Sequence, residues 1–380
     1  MAKLKIALLA PLKRPINPQT TVSRNRIVAD LALGLTQKDH SVTIFGTADS
    51  YLPGVEIIGV VNKGLVELPP TENPFYTDTA YITHDIMQVL TVQDKFDVIH
   101  NHMYPEFLPL IAQKLFRKPL ITTVHSQATK ELAMAISDTK GTSRLISISE
   151  SAKKALGLEA AVIYNGIDTN LYVPNEASAK TYLFFIGRMS KAKANGKFLD
   201  PKGAGNALEV AKAMGEDLKI VGNVEDRKFY DEIIAPNLSD KIQFVGDVSS
   251  EQTLSREQMI SLHQNAKAFL FPINWEEPFG LVMTEAMACG TPVIAYNRGS
   301  VSELVRDGLT GFVIEPEESE SESRFVIKKK GMEGLIEAVK RIGEIDRKAC
   351  REHVLQKFSM EKMVDNYEKL YYEIIDNKNE

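Results

Sequence analysis

Cysteine is scarce in this chain of 380 residues, which holds only Cys289 and Cys350. Two thiols make neither a disulfide framework nor a metal-ligand spacing, so both read as small buried side chains in a reducing, cytoplasmic setting. No apolar run is long enough to span a bilayer, which leaves only a peripheral contact with a membrane. The opening Lys3-Leu4-Lys5-Ile6-Ala7-Leu8-Leu9-Ala10-Pro11 imitates a signal peptide. Its apolar stretch is short, however, and Lys13-Arg14 follow it in place of a small-residue cleavage site, so it reads as a first strand. Positive charge is not in excess either. With 45 basic and 50 acidic residues the net charge is -5, which excludes the wholly basic surface of a nucleic-acid-binding domain.

What is present is length and regular alternation. A chain of 380 residues exceeds what one core usually serves, so two domains are expected. Strand-like and helix-like segments alternate from end to end, the pattern of parallel sheets with helices on both faces. Strands in the first half are read at Lys5 to Leu9, Ser41 to Phe45, Val55 to Val60, Val98 to His100, Leu120 to Val124, Arg144 to Ile148 and Ala161 to Tyr164. Between the first two, a helix carries Ile27, Val28, Leu31 and Leu35 on one face. Leu68 to Tyr76 reads as a Pro-rich loop. From Asn165-Gly166-Ile167-Asp168 through Ser178, turn formers replace apolar periodicity and set a boundary between domains 1–170 and 171–357. A second set of strands follows at Tyr182 to Ile186, Leu218 to Val221, Ile242 to Val245, Ala268 to Phe271, Pro292 to Tyr296 and Gly311 to Ile314. Glu315 to Glu322 is a solvated loop, and 358–380 is one amphipathic helix. Open sheets of this kind bind ligands beyond the carboxyl ends of their strands, so two of them facing each other make a cleft with chemistry on both walls.

The most specific segment is Glu276-Glu277-Pro278-Phe279-Gly280-Leu281-Val282-Met283-Thr284-Glu285-Ala286-Met287-Ala288-Cys289-Gly290-Thr291-Pro292-Val293-Ile294-Ala295. Pro278 favours a helix start, Gly290 lies where that helix would stop, and Thr291 to Tyr296 reads as a buried strand. The helix N-terminus would offer the amides of Phe279, Gly280 and Leu281 to a diphosphate. Glu285, about a turn and a half into the helix, could accept two ribose hydroxyls, while Glu277 on the loop is free to meet a sugar. A bare pair of Glu at this spacing is as readily a surface residue and a cap. The whole segment, with Pro-Phe-Gly-Leu inside the Glu pair and Ala-Cys-Gly-Thr-Pro-Val-Ile-Ala after it, resembles the retaining nucleotide-sugar glycosyltransferases of the two-domain GT-B class. These are of the family 4 type, which includes glycogen synthase, sucrose synthase and bacterial mannosyltransferases acting on phosphatidylinositol. The resemblance implies an α/β fold of two Rossmann-like domains with parallel sheets facing across a cleft and a C-terminal helix crossing back to the first domain. It also implies transfer of a hexose from a nucleoside diphosphate sugar, a donor substrate with no separate cofactor, to an unknown hydroxyl acceptor. That acceptor could be anionic or lipid-linked. An epimerase on the same fold and a non-catalytic sugar-nucleotide binder are the alternatives.

Further residues cluster at the strand ends. Ile186-Gly187, Val221-Gly222 and Val245-Gly246 close three strands with Gly, where a ligand can approach the backbone. Arg188 follows Gly187 and can grip phosphate oxygens in a fork. In the resembling family a Lys-Gly comes a few residues after the Gly-Arg, and the Arg and Lys neutralise the leaving diphosphate. Here Met189 to Pro201 intervene before Lys202-Gly203. Lys193 has the family's spacing; Lys202 has its neighbours and leads into the helix Ala204 to Met214, so Lys202 is preferred and the extra residues read as an inserted loop. His125 ends the strand Leu120 to Val124 and matches the family's His that contacts the transferred sugar; a satisfied polar strand end is the alternative. His100, His102 and His125 could in principle bind zinc, but no carboxylate pair flanks them and the family has a similar His-x-His without a metal. With no Asp-x-Asp pair at a strand end, metal-independent chemistry is expected. Ser300 and Glu303 form a capping-box pattern. Relatives carry Gly-Gly where this chain has Val22-Ser23, and branched Val22 cannot take φ > 0 cheaply, so first-domain contacts must differ, with Thr20, Thr21 and Ser23 as candidates. Lys13, Arg14 and Arg24, after the first strand, suit an anionic acceptor, a membrane surface or a solvated rim.

Overall fold

The computed structural model describes residues 2–138, 143–189, 191–246 and 254–379, the last three without their side chains. The chain divides into two compact units, Met1–Gly166 with Met360–Glu380, and Ile167–Ser359.

Unit 1 is built on seven strands: β1 (Lys5–Leu9), β2 (Ser41–Thr47), β3 (Glu56–Val61), β4 (Val98–Asn101), β5 (Leu120–Val124), β6 (Arg144–Ser147) and β7 (Ala161–Val162). They lie in the order β3-β2-β1-β4-β5-β6-β7, every neighbouring pair parallel. The strands read as near-continuous apolar runs because helices cover both faces; all five residues of β5 are buried. The strand order reverses between β1 and β4, so the loops leaving those two strands diverge and open a crevice at their carboxyl ends.

The C-terminal helix, Met360–Asn379, belongs to unit 1, where it packs on the helix Ser23–Gln37. Close approach is possible because Gly34 has no side chain: a Cβ there would lie 2.4 Å from Val364 Cγ2. Tyr367 and Tyr371 of this helix are fully buried, their hydroxyls reaching Thr123 and His100. At the rim, Lys38 Nζ reaches Asp365 and Glu368, each at 2.6 Å, and His40 Nε2 lies 2.9 Å from Glu368.

Unit 2 repeats the plan with β8 (Tyr182–Ile186), β11 (Asp217–Val221), β12 (Ile242–Gly246), β13 (Ala266–Phe271), β14 (Val293–Tyr296) and β15 (Gly311–Ile314). The order is β12-β11-β8-β13-β14-β15, again parallel throughout, with the reversal between β8 and β13. Each strand expected from the sequence is present, its ends moved by no more than one or two residues.

Two expectations need correction. The stretch inserted after Arg188, read as a loop, contains an antiparallel hairpin of β9 (Lys193–Ala194) and β10 (Lys197–Phe198); Ser190 in that stretch lies outside the described residues. The segment Leu68 to Tyr76 is a loop only as far as Asn73, whose side chain accepts the Tyr76 amide at 3.1 Å and caps the helix Pro74–Val92. Pro74 stands in its first turn, where a missing N–H costs nothing.

Candidate functional site

In unit 2 the loops leaving β8 and β13 carry the polar residues. Lys202 Nζ donates to Glu277 Oε2 at 2.7 Å, and both side chains are largely buried. Trp275 adds two contacts: its Nε1 donates to the same Glu277 oxygen at 2.9 Å, and its ring lies 4.1 Å from the Lys202 ammonium. Burial pushes the Lys202 pKa down while Glu277 pushes it back up, and nearby Arg188 lowers it further. Glu277, expected to stand unengaged on its loop, is therefore held from two sides. An ion pair withdrawn from water is retained only when such additional bonds satisfy it.

The loop that presents Lys202 is itself fixed. Asp200 Oδ1 accepts the amides of Gly203 and Ala204 at 3.0 Å, and Oδ2 that of Gly205 at 2.8 Å, capping the helix Ala204–Met214. The Asn274 side chain donates to the Asp200 carbonyl and its backbone amide to the Pro201 carbonyl, tying the two loops together. Lys193 takes a different place, 3.4 Å from Asp226 and over the ring of Phe198 in the hairpin. Lys193 thus stands apart from the Lys202–Glu277–Trp275 group. Arg188 is more exposed and meets Glu225 at 3.3 Å; a pair of that kind adds little stability and exchanges readily.

The helix begins later than its sequence suggests, at Leu281, and runs to Ala288. Gly280 is its N-cap at φ 87°, a left-handed conformation that disfavours any side chain, so Pro278 and Phe279 lie on the approach rather than in the first turn. Of the three amides expected at the helix start, only that of Leu281 belongs to it. Phe279 is buried edge-on against Phe358, 6.0 Å between rings, and its carbonyl accepts the Ser300 hydroxyl at 2.6 Å. That bond also removes the expected capping box: Ser300 makes no side-chain cap on the helix Val301–Leu304. The Leu281–Ala288 helix has no side-chain cap and no acidic residue in its first turn, so nothing of its own offsets the partial positive charge there. Glu285 is buried, with Oε1 accepting from Tyr172 at 3.2 Å and Oε2 3.8 Å from His263.

The strand-end glycines serve the protein rather than an open space. A Cβ on Gly187 would lie 2.7 Å from Lys202 Cβ and 2.5 Å from Phe185, and one on Gly222 would lie 1.9 Å from the Gly187 carbonyl. Their small size lets the β8 and β11 loops close on each other. Gly187 therefore seats Lys202, and its own contact with a ligand is not required by its being Gly.

In unit 1, His125 follows β5 and is half-buried, with Nε2 2.8 Å from His102 Nδ1. His102 Nε2 lies 3.2 Å from His100 Nδ1, which also lies 2.7 Å from the Tyr371 hydroxyl; His100 Nε2 is 2.8 Å from Thr123 Oγ1. Burial drives all three imidazole pKa values down, that of His102 to about 3, with Arg24 adding to the effect at His102 and His125. These rings are neutral and bonded to one another in a chain. Arg24 is not a rim cation: it donates to the Met103 carbonyl, to Glu106 Oε1 at 2.7 Å and to Ser126. Val22, in place of the relatives' glycine, takes an ordinary extended φ of −69° as the residue before the helix.

Trp275, Asp200, Tyr172 and Tyr371 are the residues to which sequence reasoning gave no role, and His100 was weighed only as a metal ligand. Asp200 alone carried a readable local pattern, an acidic residue just before a helix that starts with Gly-Ala-Gly. The others depend on contacts between distant segments.

No group of three or more His, Cys, Asp or Glu suited to a metal ion occurs among the described residues, and no helix there is long and apolar enough to cross a membrane. Residues 25–171 match the family model described as Glycosyltransferase Family 4, and residues 173–328 the model described as Glycosyl transferases group 1. The D-inositol 3-phosphate glycosyltransferase of Mycolicibacterium smegmatis is 26% identical over 326 residues, 77% of this chain and 74% of that protein. Spore coat protein SA of Bacillus subtilis is 23% identical over 406 aligned residues, 96% of this chain and 100% of that protein. Sucrose-phosphate synthase of Thermosynechococcus elongatus shares the fold at a TM-score of 0.74 and 18% identity, over 99% of this chain and 100% of that one. HepE of Anabaena, solved in complex with UDP-glucose, does so at 0.70 and 18%, over 97% and 100%.

Proposed function

Since the chain belongs to the glycosyltransferases of the GT-B class, family 4 type, we propose that it transfers a hexose from a nucleoside diphosphate sugar to a hydroxyl acceptor with retention of configuration. The observation that carries the reading is the Lys202–Glu277–Trp275 group beside the start of a helix that has no side-chain cap and no acidic residue in its own first turn. Arg188, Lys202 and the Leu281 end of the helix take the diphosphate, with Gly187 holding Lys202 in place. Glu277, fixed by Trp275, meets the sugar. Glu285, oriented by Tyr172, takes ribose hydroxyls, and His125 of unit 1 accepts a hydrogen bond from the sugar. Phe279 and Gly280 shape the approach to the helix rather than donating from its first turn.

Departure of the diphosphate from an oxocarbenium-like centre builds negative charge on the leaving group, so preorganised cations are the main catalytic term. These cations and the helix end supply the neutralisation that a metal would otherwise give, and activity in excess chelator is the expected outcome. UDP-glucose, the ligand of the Anabaena neighbour, is the first donor to test. A pocket of about 270 Å³ in unit 1, lined by Lys13, Phe75, Asp78, Tyr104, Phe107 and Leu108, supports an acceptor with an apolar part and a group that meets Lys13. The test is thermal shift against UDP, GDP and ADP and their sugars, followed by product stereochemistry with the donor that binds; only a bound donor raises the midpoint by mass action. Inverted product, or no stabilisation by any nucleoside diphosphate, would overturn the proposal.

A further inference from the structure

The histidine chain in unit 1 has a direction that the hydrogen-bond inventory determines. Tyr371 is fully buried, and His100 Nδ1 at 2.7 Å is the one hydrogen-bond partner of its hydroxyl among the described residues. If His100 carried its proton on Nδ1, that phenolic O–H would have no acceptor, a cost that buried hydroxyls avoid. The phenol therefore donates, and His100 Nδ1 is the bare nitrogen. Its other nitrogen, Nε2, then holds the proton and donates to Thr123 Oγ1, which is also 3.0 Å from the Tyr367 hydroxyl.

A neutral imidazole has one N–H and one lone pair. His102 Nε2 lies 3.2 Å from the same His100 nitrogen; carrying a hydrogen it makes a second, longer bond to the lone pair that Tyr371 already meets, whereas a bare Nε2 would be a buried acceptor with no donor. His102 Nδ1 is then bare and takes a hydrogen from His125 Nε2 at 2.8 Å. His125 Nδ1 has no partner among the described residues and is not among the sealed, unpaired atoms of the interior.

We propose that the buried chain Tyr371–His100–His102 fixes His125 as the tautomer carrying its proton on Nε2, so that Nδ1 is presented as a hydrogen-bond acceptor. This rests on the reading that His125 meets the transferred sugar. A sugar hydroxyl that donates to Nδ1 keeps electron density on its oxygen, which suits positive charge building at the neighbouring ring; an N–H in that place would withdraw it. Tyr371, His100 and His102 are positioning residues that act through His125. The C-terminal helix thereby sets the chemistry of a ring at the end of β5.

The test is the long-range proton–nitrogen spectrum of the full chain labelled with 15N-histidine at pH 7.5, with His125 assigned through His125→Gln. The expected result is an unprotonated Nδ1 and a protonated Nε2 on His125. In Tyr371→Phe these should move towards a mixture of tautomers, with kcat lowered about threefold to tenfold and donor KM changed by less than about twofold. A protonated Nδ1 in the wild type overturns the proposal even if Tyr371→Phe fails to fold. So does a folded Tyr371→Phe protein whose His125 signals are unchanged. Full turnover in His125→Ala together with the expected tautomer would instead remove His125 from the sugar and leave the tautomer assignment standing.

Discussion

The two units share one topology and treat their ionisable groups in opposite ways. Unit 2 keeps charge and compensates it: Lys202 is paired with Glu277, and the Trp275 ring covers the ammonium. Unit 1 largely removes charge: burial holds His100, His102 and His125 neutral, and pushes the Asp85 carboxyl up to about 8 on the helix Pro74–Val92. Arg24 with Glu106 is the paired exception. The difference suits the proposed division of labour, since a leaving diphosphate needs cations whereas a sugar hydroxyl is better read by a fixed lone pair.

The comparison is most directly broken at Lys202. Lys202→Met is expected to lower turnover with saturating donor by roughly a hundredfold to a thousandfold. It should also cost roughly 2–3 kcal/mol in denaturant unfolding, because Glu277 loses its charged partner. Adding Glu277→Gln should restore stability but not activity; a stable and active Lys202→Met protein would end the view of unit 2 as built on charge. Arg188→Ala should lower turnover about tenfold to a hundredfold. Its unfolding midpoint should barely move, since the exposed pair with Glu225 is worth at most about 1 kcal/mol.

Asp85 sharpens the other side. Its folded pKa is raised above the unfolded value, so the native state keeps a proton that the unfolded chain releases. Stability is thus undiminished below about pH 4 and declines as pH rises to about 8. Asp85→Asn should flatten that slope by an amount on the order of a few kcal/mol, seen in urea melts at several pH values. A wild-type protein with no such decline would refute the neutral account of Asp85. The smallest effect is expected from Tyr172→Phe, which removes one bond to Glu285: about 1 kcal/mol in stability, with donor KM raised about twofold to fivefold by isothermal or kinetic titration.

The architecture was legible in the sequence because parallel strands buried on both faces leave long apolar runs, and the order of strands and helices then admits few topologies. The place of Lys202 just before a helix was also legible, since Asp200-Pro201-Lys202-Gly203 runs directly into Ala204–Met214. Three features were hidden. The start of the Leu281–Ala288 helix depends on the left-handed turn at Gly280, although Pro278 has the right chemistry for a first turn. Ser300 and Glu303 have a capping-box spacing, but the Ser300 hydroxyl finds the Phe279 carbonyl instead. Arg24 looked like surface charge until Glu106 was brought beside it by the fold. In the first case a backbone turn, and in the other two a contact between distant segments, outweighs the pattern read from residue type and spacing.

Trp275 is the only indole in 380 residues, and its nitrogen and its ring both touch the Lys202–Glu277 pair. Any occupant that exchanges with that pair must change the surroundings of a single native fluorophore. The enzyme thus carries an optical gauge of its own loading, readable without a label and undiluted by emission from other tryptophans.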